Sequence, residues 1–278
     1  EQLDKLNALI ASGGGPFIGG PTLSLADVTY IPMMERWAVN LPLTVGLSLL
    51  PALESAGVAV KSEGAAVKSE GVAVRWKALS SWIVMMRTVP AYAEHVMGDD
   101  YSWTALVCTF QRMLAGSTTD ESQRAADTAI IKKADYNAKA LLLEMGRCDL
   151  ISFRPLHREQ AARAVLSNHE AIVEDAISTS SKSQQWFKRL AEEDRNLVGM
   201  ALREACRRLL DVEDTEADYH FDSPTDAATI AEAARYVAGR ICVPRDMGTP
   251  PAAALRCSLM QVAANAESYA WTLSGGLL

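Results

Sequence analysis

Residues 15–37 read GPFIGGPTLSLADVTYIPMMERW, a loop that leads into a capped helix. Ser24 is placed as the N-cap residue, with its hydroxyl expected to accept a hydrogen bond from the amide of Asp27. The Asp27 carboxylate is expected to accept in return from the amide of Ser24. Leu23 and Val28 then flank this capping box as a hydrophobic staple. The spacing therefore assigns Ser24 and Asp27 a structural capping role.

The rest of this stretch fits the same interpretation. Gly19 and Gly20 permit the tight turn that precedes the cap, because glycine tolerates backbone conformations closed to other residues. Pro32 removes one backbone hydrogen bond inside the helix and should bend it.

Helical periodicity dominates the remainder of the chain, and strand-like alternation is nearly absent. Apolar residues recur at spacings of three and four in five further spans, which are Ala125–Met145, Glu159–Ile177, Trp186–Leu210, Asp226–Val243 and Pro251–Leu273. Ser223 and Thr249 each precede such a span next to a proline, as N-cap residues do. These patterns predict an all-α protein.

Two segments interrupt the helical pattern. Residues 57–77 read GVAVKSE GAAVKSE GVAVRWK, a seven-residue unit repeated nearly three times. Every copy begins with glycine, which disfavours a helix. We therefore expect a repeat-containing surface loop. The polar, turn-rich segment 114–123 is the strongest candidate boundary. We therefore expect one helical domain over residues 1–113 and a second over 117–278.

Composition narrows the classes of partner. The chain has 49% hydrophobic residues and a net charge of −7, with no basic block or stripe. This charge argues against nucleic acid as the main partner. The most apolar stretch, 41–60, is interrupted by prolines, glycines and Glu54, so no transmembrane segment is expected. The five cysteines form no CxxC pair, which predicts free buried thiols in an intracellular reducing compartment.

Residues with possible chemistry are few and scattered. The four histidines form no metal-binding spacing, and His169 with Glu170 and Glu174 is the nearest approach to one. The acidic run 211–222 lacks the ligand register of a calcium loop, so we expect no metal and no cofactor.

A second candidate lies at 243–251, VPRDMGTPP. Arg245 and Asp246 precede a predicted helix there, where free amides could bind an anion or a partner. The simpler alternative is a local Arg245–Asp246 pair between proline-defined helix ends. Of the six tryptophans, most are expected in the core, and one or two near helix ends could anchor a partner.

The opening stretch resembles the capping segment of the C-terminal helical domain of glutathione transferases: a glycine-rich turn, S-x-A-D, and then a proline within the helix. The segment LSSWIVMMRTVPAY (79–92) is similar to the closing helix of that domain. The resemblance covers about residues 1–92. The rest of the chain, notably 164–176 and 240–256, is similar to helical extensions that follow transferase-like domains in some algal proteins.

The resemblance implies a scaffold more than an activity. In that family the glutathione site and its activating Ser, Cys or Tyr lie mostly in a thioredoxin-like domain, which is not visible here, so no catalytic residue is assigned. Members of the wider family use the helical domain for docking, as in translation elongation factor gamma subunits. We therefore expect a non-catalytic accessory subunit that docks onto partner proteins.

The setting of that subunit and two other functions remain open. The setting could be the cytoplasm or an organelle such as the plastid stroma, near a photosystem. An alternative is the helical half of a glutathione transferase whose catalytic domain lies outside this chain. A third is a carrier that binds small molecules in a cleft between helices.

Overall fold

The computed structural model describes residues 1–44, 47–50, 75–106, 120–180, 190–210, 221 and 223–274. Its ten named helices are α1 (Gln2–Ser12), α2 (Leu25–Thr44), α3 (Lys77–Met86), α4 (Pro90–His95), α5 (Glu121–Met145), α6 (Pro155–Ser167), α7 (His169–Ser180), α8 (Arg195–Leu210), α9 (Pro224–Arg240) and α10 (Thr249–Leu273). Residues 100–106 are also helical, and short 3-10 turns cover Leu150–Ser152 and Glu192–Asp194. The described part contains no strand, only an isolated bridge between Phe17 and Gly20. The predicted all-α class is confirmed.

The chain divides into two compact units, Glu1–Leu141 and Leu142–Leu278. This division lies within the last turn of α5, downstream of the expected boundary at 114–123. Within that expected boundary, residue 120 directly precedes α5 and residues 121–123 form its first turn, while residues 114–119 lie outside the described part. Residues 57–74 of the repeat at 57–77, and residues 211–220 and 222 of the acidic run at 211–222, also lie outside it.

The first unit is built on α1, α2 and α3. The core of this unit comprises Ile10, Ile18, Ile31, Met34, Leu49, Trp76, Leu79, Trp82, Ile83, Met86 and Tyr92. The loop between α1 and α2 needs glycine: Gly20 has φ +124°, and a Cβ at Gly15 would collide with the backbone of Gly20. This loop carries Ile18 into the core beneath the start of α2. The segment 79–92, expected as one closing helix, forms α3 and α4 with a break at 87–89.

The second unit is a bundle of α6 to α10. The α9/α10 pair is its most extensive, and α8 packs against both of these helices. Small side chains line α9 and α10 where they are buried, including Ala231, Ala234, Ala238, Ala252 and Ala263. Because alanine allows close approach of two backbones, this pair forms the centre of the bundle.

Several predicted helix ends differ in the structure. The span Glu159–Ile177 is two helices, since α6 ends at Ser167 and Asn168 leaves the helical conformation. The span expected from Trp186 is described from Leu190 onward, since residues 186–189 lie outside the described part. In the described portion a 3-10 turn over Glu192–Asp194 precedes the α-helix, which begins at Arg195. The span expected to Val243 ends at Arg240, where the backbone turns extended.

The two predicted caps have different outcomes. Ser223 caps α9 as predicted, and its Oγ accepts from the amide of Asp226 at 3.1 Å. Thr249 does not cap α10, because Gly248 occupies the N-cap position and Thr249 is already helical.

Candidate functional site

The Asp27 carboxylate is the centre of a buried hydrogen-bond network in the first unit. Its Oδ1 accepts from the amide of Ile18 at 2.8 Å and from the indole Nε1 of Trp82 at 2.7 Å. Its Oδ2 accepts from the amide of Ser24 at 2.8 Å and from the Ser24 hydroxyl at 2.6 Å. Burial alone would raise the pKa of Asp27, but these hydrogen bonds together lower it. The carboxylate is therefore ionised, and its hydrogen bonds to the surrounding chain give it a structural role.

This geometry differs from the predicted capping box in one bond. The Asp27 carboxylate accepts from the Ser24 amide as expected, but the Ser24 hydroxyl donates to the carboxylate instead of accepting from the Asp27 amide. Leu23 and Val28 are 45% and 53% exposed, so both staple residues face solvent substantially. Trp82 was missed as a partner, because a contact across 55 positions leaves no local pattern.

A second buried carboxylate, Glu35, was also missed by sequence analysis. Its Oε2 accepts from the hydroxyl of Tyr92 at 2.8 Å and from the amide of Gly98 at 3.1 Å. Burial raises the pKa of Glu35, although both hydrogen bonds and nearby Arg87 oppose the shift. A Cβ at Gly98 would collide with the ring of Trp103, so the chain passes Glu35 with no space for a larger residue.

The second unit contains a cavity of about 470 Å³ between α6, α7, α9 and the start of α10. Its apolar wall includes Val165, Ile172, Val237 and Leu255, one from each of these four helices. Such a volume lies within the range of small-molecule sites. The loop that joins α9 to α10 completes the cavity and brings Arg245 and Asp246 to its edge.

Two Arg–Asp pairs line this cavity. Arg245 donates to Asp246 through Nε at 2.7 Å and Nη2 at 3.0 Å. Arg240, at the end of α9, donates to Asp175 of α7 through Nε at 3.1 Å and Nη2 at 3.2 Å. The structure thus shows the local pair foreseen for Arg245 and Asp246, and adds a second pair that was not foreseen because its members are 65 positions apart.

The arginine and aspartate side chains at the rim of this cavity are held in their charged forms. Hydrogen bonding to Asp246 raises the pKa of Arg245, and hydrogen bonding to Asp175 raises the pKa of Arg240. Burial would raise the pKa of Asp246, but its bonds to Arg245 and to the amide of Cys242 lower it. Since every shifted group is held in its charged form, the rim is suited to binding an ion and poorly suited to transferring protons.

A more open depression on the other side of α7 contains His169, Glu170, Glu174, Arg195 and Gly199 among its lining residues. Glu174 is paired with Arg195 at 2.8 Å. Within the described ranges, no group of three His, Cys, Asp or Glu side chains converges as a metal site would require.

The cysteine prediction is wrong for two residues. The sulfurs of Cys148, just after α5, and Cys257, within α10, are bonded to one another, with their Cα atoms 6.1 Å apart. The folding of the second unit brings these positions together across 109 residues, which spacing alone does not reveal. Cys206 and Cys242 are free thiols, and Cys108 lies outside the described residues.

Comparison with known protein families, curated proteins and solved structures found no match to this chain. The resemblance to glutathione transferases therefore stays a prediction. Among the helices that the structure describes, none is long and apolar enough to cross a membrane.

Proposed function

We propose that this chain is a non-catalytic accessory protein that docks onto partner proteins through the exposed side of α2. The observation that carries the proposal is an apolar face on that helix. Leu25 is 80% exposed, Val28 53% and Met33 40%, and Val28 and Met33 lie about one and two turns beyond Leu25 on a side of the helix that also includes the exposed Thr29 and Arg36. Several large apolar side chains exposed on one helix are typical of protein interaction sites.

The chemistry of the buried groups supports docking over catalysis. The Asp27 carboxylate accepts four hydrogen bonds from its own unit, and the Glu35 carboxylate accepts two. Neither side chain lines either of the cavities described above. The face on α2 suits an amphipathic helix of a partner, because apolar residues one and two turns apart fit a hydrophobic stripe.

The test is recovery of partners from the protein's source extract by the tagged chain, with native complexes sized afterwards. Leu25→Glu should abolish recovery, and an acidic residue in the first turn suits the helix dipole, so α2 should persist. Leu156→Glu is the matched control, since Leu156 is 56% exposed in the first turn of α6. A wild-type chain that remains monomeric and recovers nothing would contradict the proposal.

The alternative is the helical half of a glutathione transferase. The bond from Trp82 to Asp27 supports the resemblance on which this alternative depends, because it joins the two segments that carry that resemblance. Reading the gene upstream of Glu1 tests it. A thioredoxin-like domain there, together with conjugation of glutathione to a generic electrophile by the full-length protein, would establish the enzyme.

A further inference from the structure

We propose that the cavity of the second unit binds a small carboxylate with an apolar body, such as a fatty or aryl-alkyl acid. This site is separate from the docking face on α2, so either proposal can fail without the other. The inference depends on the shape of the cavity, the composition of its wall and the unused donors at its rim.

The wall of the cavity supplies the apolar part of the site. Val165, Ile172, Val237 and Leu255 present branched aliphatic side chains from four different helices. Val165, Val237 and Leu255 are also members of the buried core, so this wall is held by the packing of the bundle. Burial of a ligand's hydrocarbon against a preformed wall is the main source of affinity in sites of this type.

The rim supplies the polar part. Arg240 and Arg245 each use Nε and Nη2 for hydrogen bonds, and among the described residues the Nη1 group of each has no hydrogen-bond acceptor. A guanidinium has five N–H donors, so each arginine can engage a second carboxylate while keeping its own aspartate. Arg245 Nη2 also reaches the carbonyl of Arg240 at 3.4 Å, which keeps the two arginines adjacent.

The carboxylates of the rim limit the charge of the ligand. Asp175 and Asp246 balance the two arginines, so the rim has no net formal charge to attract a multiply charged anion. A phosphate dianion would meet repulsion from both aspartates, whereas a monocarboxylate carries less charge and gains from the apolar wall. Tyr236 donates from its hydroxyl to Asp175 at 3.2 Å and thereby helps to hold the Asp175–Arg240 pair in place.

Calorimetric titration of the full chain with decanoate tests the proposal. We expect saturable binding of one decanoate, and much weaker binding of decanol, acetate and inorganic phosphate. Arg240→Met should weaken decanoate binding about tenfold or more, as expected for loss of a charge-assisted bond. Arg235→Met is the matched control, because Arg235 lies on the same helix, pairs with Glu267 and does not line the cavity. It should leave the affinity unchanged.

A second variant tests the apolar wall. Ala164 lines the cavity from α6 and is only partly buried, so Ala164→Phe should fill the space with little effect on folding. Circular dichroism checks that the fold is retained, and decanoate binding should be lost. Absence of saturable decanoate binding, equal affinity for decanol or phosphate, or unchanged affinity in the folded Ala164→Phe and Arg240→Met variants would each overturn the proposal.

Discussion

At the residue scale, Asp27 shows how one carboxylate can organise a small helical unit. It joins the α1–α2 loop, the start of α2 and the middle of α3 through Ile18, Ser24 and Trp82. Each of these donors would lose its acceptor if the carboxylate were removed, and an unsatisfied buried N–H group is costly. The residue is therefore a structural centre whose loss should be severe.

We predict that Asp27→Ala lowers the free energy of unfolding by about 3–5 kcal/mol, since at least two buried donors lose their acceptor. Asp120→Ala is a matched control, because Asp120 also accepts from the first amides of a helix but is exposed. It should cost only about 1 kcal/mol. Urea denaturation measures both. Similar losses for the two variants would contradict the central role of Asp27.

Asp27 also predicts a dependence on pH. Its pKa is lowered in the folded state, so its stabilising contribution is complete above the unfolded value of 3.8 and is lost as pH falls through the folded pKa. The difference in stability between the wild type and Asp27→Ala should therefore shrink only in strong acid.

Glu35 should behave in the opposite way. Burial raises its folded pKa above 4.5, so its charge opposes folding at neutral pH and this penalty disappears as pH falls through the folded value. We predict that Glu35→Gln is at least as stable as the wild type at pH 7, because one amide oxygen can accept from both Tyr92 and Gly98. Urea denaturation should show that the stability difference between Glu35→Gln and the wild type becomes smaller as the pH is lowered towards 4.5. A large loss of stability at pH 7 would show that the charge itself is required.

At the scale of the helices, sequence patterns predicted what is local. The periodicity located most helices of the second unit, and Ser223 was recognised as a cap because its bond spans only three residues. Asn168 was missed as a break, because apolar spacing continues from α6 into α7. Only one of the two Arg–Asp pairs of the cavity was predicted. Arg245 and Asp246 are adjacent in sequence, whereas Arg240 contacts Asp175 only because α7 packs on α9.

The cap of α9 provides a test at this scale. Ser223→Ala removes the side-chain bond to the amide of Asp226 and should lower stability by about 1 kcal/mol. Thr225→Ala changes an exposed residue in the same first turn and should have an effect within about 0.5 kcal/mol. Thermal unfolding followed by circular dichroism compares the two. Equal effects would mean that the Ser223 bond contributes nothing beyond helix propensity.

At the scale of the whole molecule, each unit has its own buried centre. The first is organised around Asp27, and the second contains Arg256, a fully buried arginine whose Nη2 donates to the carbonyl of Ile241 at 2.7 Å. That bond ties α10 to the end of α9, beside the loop that carries the cavity rim. The Cys148–Cys257 bond closes a covalent loop that contains most of the second unit.

The cross-link leads to a prediction about the whole chain under two redox conditions. A loop of 109 residues restricts the unfolded chain strongly, so Cys148→Ser should lower stability by about 2–4 kcal/mol without reductant. Adding reductant should lower the stability of the wild type to that of Cys148→Ser and leave the stability of Cys148→Ser unchanged. Cys242→Ser changes a free thiol, so its stability should match that of the wild type under both conditions. Non-reducing peptide mapping should recover the Cys148 and Cys257 peptides as one linked species. Separate alkylation of both thiols in the unreduced, unfolded chain would contradict the pairing and favour the reducing compartment expected from the cysteine spacing.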